Sequence, residues 1–188
     1  KNFPDATRVC EQAMALGHAQ RKEAADDLTS IQADVKSLSI LADIGQASGD
    51  SKMVVESLTQ AWTYQVDILA QLRSDTNPDA KRVEREMCAV LCYRLAEYYR
   101  SVNQLDKAQQ FYNESLKYNE AHEQSRLSLA KLHLINNDLD SCESQCVTLM
   151  RLDPNNREAS LMLADLMFRK NEHVGASFQF QQLLEKNP

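Results

Sequence analysis

The stretch DPNNREASLMLADLMFRKNEH, Asp153 to His173, sets the rhythm on which the fold turns. Asp-Pro-Asn favours a turn, because Pro fixes its own φ and Asx side chains bond to nearby backbone. From Arg157 to Lys170 there is no Gly or Pro, and apolar residues recur at helical spacing, with small Ala164 directly after Leu163. Lys170-Asn171 is a polar break, and Asn suits it because it tolerates a left-handed backbone. A second apolar run follows and closes at Pro188.

Pro154 and Pro188 lie 34 residues apart, and other positions keep the same interval. Leu95, Leu129 and Leu163 are each followed by Ala; Ala108, Cys142 and Ala176 form a set of small residues; Tyr112, Cys146 and Phe180 form a third set; Asn103, Asn137 and Asn171 mark the breaks. This is the period of tetratricopeptide repeats. Each unit reads as two amphipathic helices, with the Leu-Ala pair of the first meeting the small residue of the second at their closest crossing. Neither helix could bury its apolar stripe alone. The fold class is therefore all-α, a tetratricopeptide-repeat α-solenoid of antiparallel helix hairpins.

Units are expected at 89–122, 123–156 and 157–188, with Glu120 where a turn Pro would stand. Upstream, 35–68 follows the same grammar: Leu41-Ala42 as the pair, Gly49 at the break, and Val54 and Leu58 in the second-helix slots. The next good phase begins 20 residues late, which makes 69–88 an insertion or a pair of extended helices with a loop at Ser74 to Asp79. Residues 1–34 read as an irregular helical unit, with Ala6, Cys10 and Ala13 on the last helix of a preceding repeat.

Composition narrows the function. The 188 residues are 43% hydrophobic with only 4 Gly and 4 Pro, enough for a real core and too few turns for a sheet protein. A net charge of −6 with no concentrated basic face excludes a general nucleic-acid or anionic-membrane surface and leaves proteins as partners. No apolar run approaches a membrane span, so no direct membrane insertion is expected. The start, KNFPDATRV, has neither an initiator Met nor a signal-peptide core, so the chain reads as an internal piece of a longer one. Five scattered Cys suit a reducing compartment, the cytosol or a space continuous with it.

No catalytic constellation, phosphate loop or cofactor motif is present, and the chain is read as a non-enzyme with no cofactor. Cys88/Cys92 and Cys142/Cys146 have the i, i+4 spacing that a metal-ligand pair would need. Cys142 and Cys146 fill core slots of the repeat, however, so buried small hydrophobes are the better account and no metal site is expected. His133 reads as a packing residue, and His18, His122 and His173 fall near turns or helix ends. Trp62 reads as a core aromatic between units rather than a ligand contact. KRVER, residues 81–85, reads as solvated i, i+4 pairs.

Repeat solenoids bind along the groove formed by the first helices. Phase places Tyr93, Leu127 and Leu161 at one groove position, Arg100, Leu134 and Phe168 at another, and Ile135 beside it. These seven make up the candidate concave protein-binding face, suited to an extended peptide or a helix. The competing account is that they pack against another part of the same superhelix. Arg94, Glu97, Ser128, Lys131, Met162 and Asp165 do not reproduce the Lys/Asn/Arg clamp of chaperone-tail-binding repeat domains.

The phrases LDSCESQCVTLM, REASLMLADLMFRKNEH, FQQLLEKNP, EREMCAVLCYRLAEYY and DKAQQFYNESLKYNE resemble the tetratricopeptide repeat protein 21 family. The resemblance covers about the last hundred residues well and the first eighty weakly, with ADLMFRK its most specific part. It implies a non-catalytic scaffold, the all-repeat subunit of intraflagellar transport complex A. That subunit joins WD-repeat and repeat-type partners in retrograde ciliary transport with the dynein motor and in ciliary entry of membrane-protein cargo. It also implies a cytoplasmic and ciliary location, at the cilium, its base and its cytoskeleton. The alternative is a peptide-binding adaptor that recognises a cargo or partner segment in the groove.

Overall fold

The computed structural model describes residues 3–23, 28–72 and 78–186. Among these residues the chain forms helices and no strand: α1 (Phe3–Glu23), α2 (Leu28–Ser48), α3 (Ser51–Gln71), α4 (Pro78–Ser101), α5 (Leu105–Tyr118), α6 (Glu123–Ile135), α7 (Leu139–Leu152), α8 (Arg157–Arg169) and α9 (His173–Lys186). Pro188, the side chain of His18 and most of the loop expected at 74–79 lie outside the described residues. The chain divides into two compact units, 1–119 and 120–188.

In the first unit α1 packs on α2, α2 and α3 form a hairpin, α3 packs on α4, and α4 and α5 form a second hairpin. Apolar residues at helical spacing build the core: Val35, Leu38, Leu41 and Ala42 of α2 meet Val54, Leu58, Ala61 and Ile68 of α3, with Leu91 and Leu95 of α4. Cys10 and Met14 of α1 pack against this cluster, so the N-terminal segment contributes a helix to the array. Gly45 is needed where α2 and α3 approach, since an added Cβ would stand 3.1 Å from the Asp50 carbonyl oxygen and from Val54 Cγ2. In the second unit α6/α7 and α8/α9 are hairpins, joined by packing of α7 on α8. Ala130, Cys142, Cys146, Met162 and Leu166 form its core cluster.

The turn inside each hairpin is the same device. Gly49, Asn103, Asn137 and Asn171 have φ of 79°, 58°, 57° and 63°, as the marker residues foretold. At Asn103 the amide donates to the Arg100 carbonyl (3.1 Å) and the Gln104 amide to the Tyr99 carbonyl (2.8 Å), which satisfies the last carbonyls of α4. The pattern recurs at Asn137-Asp138 and Asn171-Glu172. The residue after the turn then opens the next helix; Asp138 accepts from the Ser141 amide at 3.2 Å.

Most of the 20 extra residues are spent on helix length. α3 has 21 residues against 14 in α5, and α4 has 24 against 13 in α6. α2 begins at Leu28, so residues 28–34 belong to the hairpin whose start was expected at 35. Asp34 and Val35 are both buried, which makes the first turns of α2 part of the packed structure. The elongated helices are held by Glu84, which accepts from Gln32 (2.7 Å) and from buried Gln65. Arg85 donates to the carbonyls of Tyr118 (3.0 Å) and Lys117 (3.1 Å), capping α5. Within 81–85, therefore, Glu84 and Arg85 tie helices together, and Arg82, paired with Asp79 at 3.8 Å, is a solvated surface contact.

Candidate protein-binding face

Tyr93 and Arg100 lie in the first unit, on α4. Tyr93 is half-buried, with its ring tilted against Tyr112 at 6.2 Å between centroids. Arg100 is exposed but engaged: its Nε lies 3.2 Å and its Nη2 2.5 Å from a Glu97 carboxylate oxygen. The other Glu97 oxygen accepts from the Tyr112 hydroxyl. This pairing holds the Arg100 guanidinium above its ordinary pKa.

The other five residues lie in the second unit. Leu127 and Leu134 are half-buried and pack against the cluster that contains Met162 and Leu166 of α8. Lys131, between them on the same helix face, pairs with Glu158 of α8. Leu127 and Leu134 are thus partly covered by the unit's own core, with the Lys131–Glu158 pair linking α6 to α8 between them. A matching contact joins α2 to α4, where Arg94 pairs with Asp43 and donates to the Ser39 carbonyl at 3.4 Å. Ile135 is 69% exposed, because one further residue along the helix turns it off that face.

Carried forward by 34 residues, the slots of Leu127 and Leu134 become Leu161 and Phe168, 41% and 58% exposed. Phe168 stands edge-on to His173 at 5.3 Å and, with Ala176, Phe180 and Leu184, lines a cavity of about 450 Å³ between α8 and α9. Val174 and Phe178 add to the exposed apolar surface of α9. The sequence reading placed Phe180 in a core slot, but it is 39% exposed, whereas Tyr112 and Cys146 in the same slot are fully buried. Ala108, Cys142 and Ala176, the small set, are all buried.

The thiols and imidazoles occupy packing sites. Burial pushes the Cys88 thiol up to about 12 and raises that of Cys92. The Cys146 thiol, hydrogen-bonded to Cys142, is held up and Cys142 down. His133 places Nδ1 3.1 Å from Asp138 Oδ2, and His122 caps α6, its Nδ1 accepting from the Ser125 amide at 3.3 Å. Trp62 packs against the first unit's core, edge-on to Phe111 at 5.8 Å. Among the described residues no three His, Cys, Asp or Glu side chains are grouped to hold a metal ion. No helix there is long and apolar enough to cross a membrane.

Solved structures share the architecture. The chain superposes on Pseudomonas aeruginosa PilF with a TM-score of 0.62 at 16% identity, covering 100% of this chain and 79% of that one. It superposes on MamA with a TM-score of 0.61 at 15% identity, covering 90% and 93%. By sequence it is 33% identical over 181 residues to human tetratricopeptide repeat protein 21A, covering 96% of this chain and 14% of that protein. It is 31% identical over 188 residues to the 21B protein of Xenopus laevis, covering 100% and again 14%. The chain thus spans about a seventh of the length of these relatives. Residues 1–116 match the tetratricopeptide repeat protein 21 fourth ARM domain, and 157–188 match the fifth ARM repeats domain of the same protein. The chain belongs to the tetratricopeptide repeat protein 21 family.

Proposed function

We propose that this chain is a non-catalytic protein–protein interaction scaffold, a segment of the repeat subunit of intraflagellar transport complex A. It serves retrograde ciliary transport and the ciliary entry of membrane-protein cargo, and works in the cytoplasm and the cilium. The observation that supports the reading is the succession of antiparallel helix hairpins in a chain of the tetratricopeptide repeat protein 21 family. Leu161 and Phe168, 34 residues on from half-buried Leu127 and Leu134, are exposed beside Phe180 and Leu184. An apolar face of this shape favours a further amphipathic helix, from another repeat or another subunit. Cross-linking mass spectrometry on assembled complex A containing this chain tests it. Lys131 and Lys170, in the second unit, should link to segments outside residues 1–188 more often than Lys81, Lys107 and Lys117. Links from Lys131 and Lys170 confined to residues 1–188 would sink the reading.

A further inference from the structure

The helix caps of this chain are not chemically equal. Asp50 and Asp138 cap α3 and α7 through a carboxylate oxygen that accepts from the Met53 and Ser141 amides, and Asn156 caps α8 through Oδ1, which accepts from the Ala159 amide at 2.9 Å. His122, 34 residues before Asn156, holds the same place at the start of α6, but with an imidazole. Its Nδ1 accepts from the Ser125 amide at 3.3 Å and lies 2.8 Å from the Ser125 hydroxyl. A ring nitrogen accepts from an N–H only while it carries no proton, so this cap requires the neutral ring with its proton on Nε2. Asn and Asp caps keep their acceptor throughout the range around neutral pH, whereas an ordinary imidazole takes up a proton at about pH 6.5.

The surroundings oppose that proton. His122 is 6% exposed and stands at the positive end of α6, where a further positive charge is unfavourable. Arg126, one turn along α6, donates to the Glu120 carbonyl and to Gln145 Oε1 of α7, and it feels the charges of Glu120 and of Arg151 near the end of α7. The carboxylates of these elements have partners of their own: Glu123 accepts from Asn156 Nδ2, Glu158 of α8 pairs with Lys131, Asp153 accepts from the Asn155 amide, and Asp140 and Glu143 of α7 share Lys170. Glu123 also couples two caps. It lies in the first turn of α6, and its carboxylate fixes one end of the Asn156 amide whose other end caps α8.

We propose that His122 is a pH-sensitive cap: proton uptake on Nδ1 releases the Ser125 amide, loosens the first turn of α6 and, through Glu123, weakens the hold on Asn156 at the start of α8. The folded chain needs this nitrogen unprotonated and so takes up the proton less readily than the unfolded chain; the cap's contribution is complete above about pH 6.5 and declines as the pH falls below it. The cap and the scaffold reading are independent, so either can fail without the other. Urea unfolding of the 188-residue chain at about pH 7.5 and about pH 5.5, as wild type and as His122→Asn, is the test. The wild-type folding constant should fall between the two conditions on the order of tenfold more than that of the variant, in which Asn supplies the cap that Asn156 already gives α8. His18, His133 and His173 are common to both chains, so their titration cancels. By NMR of the wild type, the Ser125 amide signal should titrate over this range and the His122 ring should show an unprotonated Nδ1 at the higher pH, two readouts that stand even if the variant does not fold. Equal pH dependence in the two chains, a Ser125 amide signal that does not titrate, or a protonated Nδ1 at the higher pH would each overturn the proposal.

Discussion

Asn103, Asn137 and Asn171 each hold φ between 57° and 63°, and each turn lets the last carbonyls of one helix be satisfied while the following residue opens the next. Three copies of one unusual residue at one interval make this the most legible feature of the chain, because few other side chains tolerate that backbone. Asn137→Ala should therefore cost about 1 kcal/mol, while Asn137→Gly should be neutral or slightly stabilising. Urea denaturation midpoints of the two variants, at unchanged m-value, check this. A midpoint for Asn137→Ala equal to wild type would mean that the turn is not stabilised by its left-handed residue. Arg85 shows the opposite case: its capping of α5 across 33 residues follows no local pattern, so the sequence reading treated it as a surface pair.

At the scale of the element, helical periodicity identified the buried stripe of the regular hairpins, and the Leu-Ala pairs fall on it. Leu95 and Leu129 are buried to 2% exposure or less, but Leu163 is only half-buried although it keeps the same phase. Leu129→Ala should cost about 3 kcal/mol and Leu163→Ala about half of that, since cavity and transfer terms scale with the contacts removed. Chemical denaturation of both variants measures the difference, and equal losses would contradict the packing. The lengthening of α3 and α4 was open to either an inserted loop or continued helix. Buried Gln65 on Glu84 shows how a polar residue is accommodated in the elongated part, through a partner from another helix that no window of local sequence contains.

At the scale of the whole chain, exposed aromatic surface gathers on α8 and α9. Phe168, Phe178 and Leu184 are each more than half exposed in the second unit. A probe such as ANS should bind this face, and Phe168→Glu should lower its fluorescence while leaving helicity and the thermal midpoint almost unchanged, because the side chain is largely outside the core. Unaltered probe binding would move the apolar site elsewhere. Phase alone had put seven residues on a common groove. In the structure Leu127 and Leu134 are half-buried against the core cluster and Leu161 and Phe168 are exposed, though all four obey one period.

The sequence by itself determined the helices, their hairpin pairing, the turn residues and the small-residue crossings, since each follows from backbone preference and a period of 34 residues. Only the tertiary structure decided that Glu84 and Arg85 hold helix ends far away in the chain, and which aromatic residues stay exposed. Periodicity records where a side chain points on its own helix. Burial depends on what lies opposite, and that is supplied by residues far away in the chain.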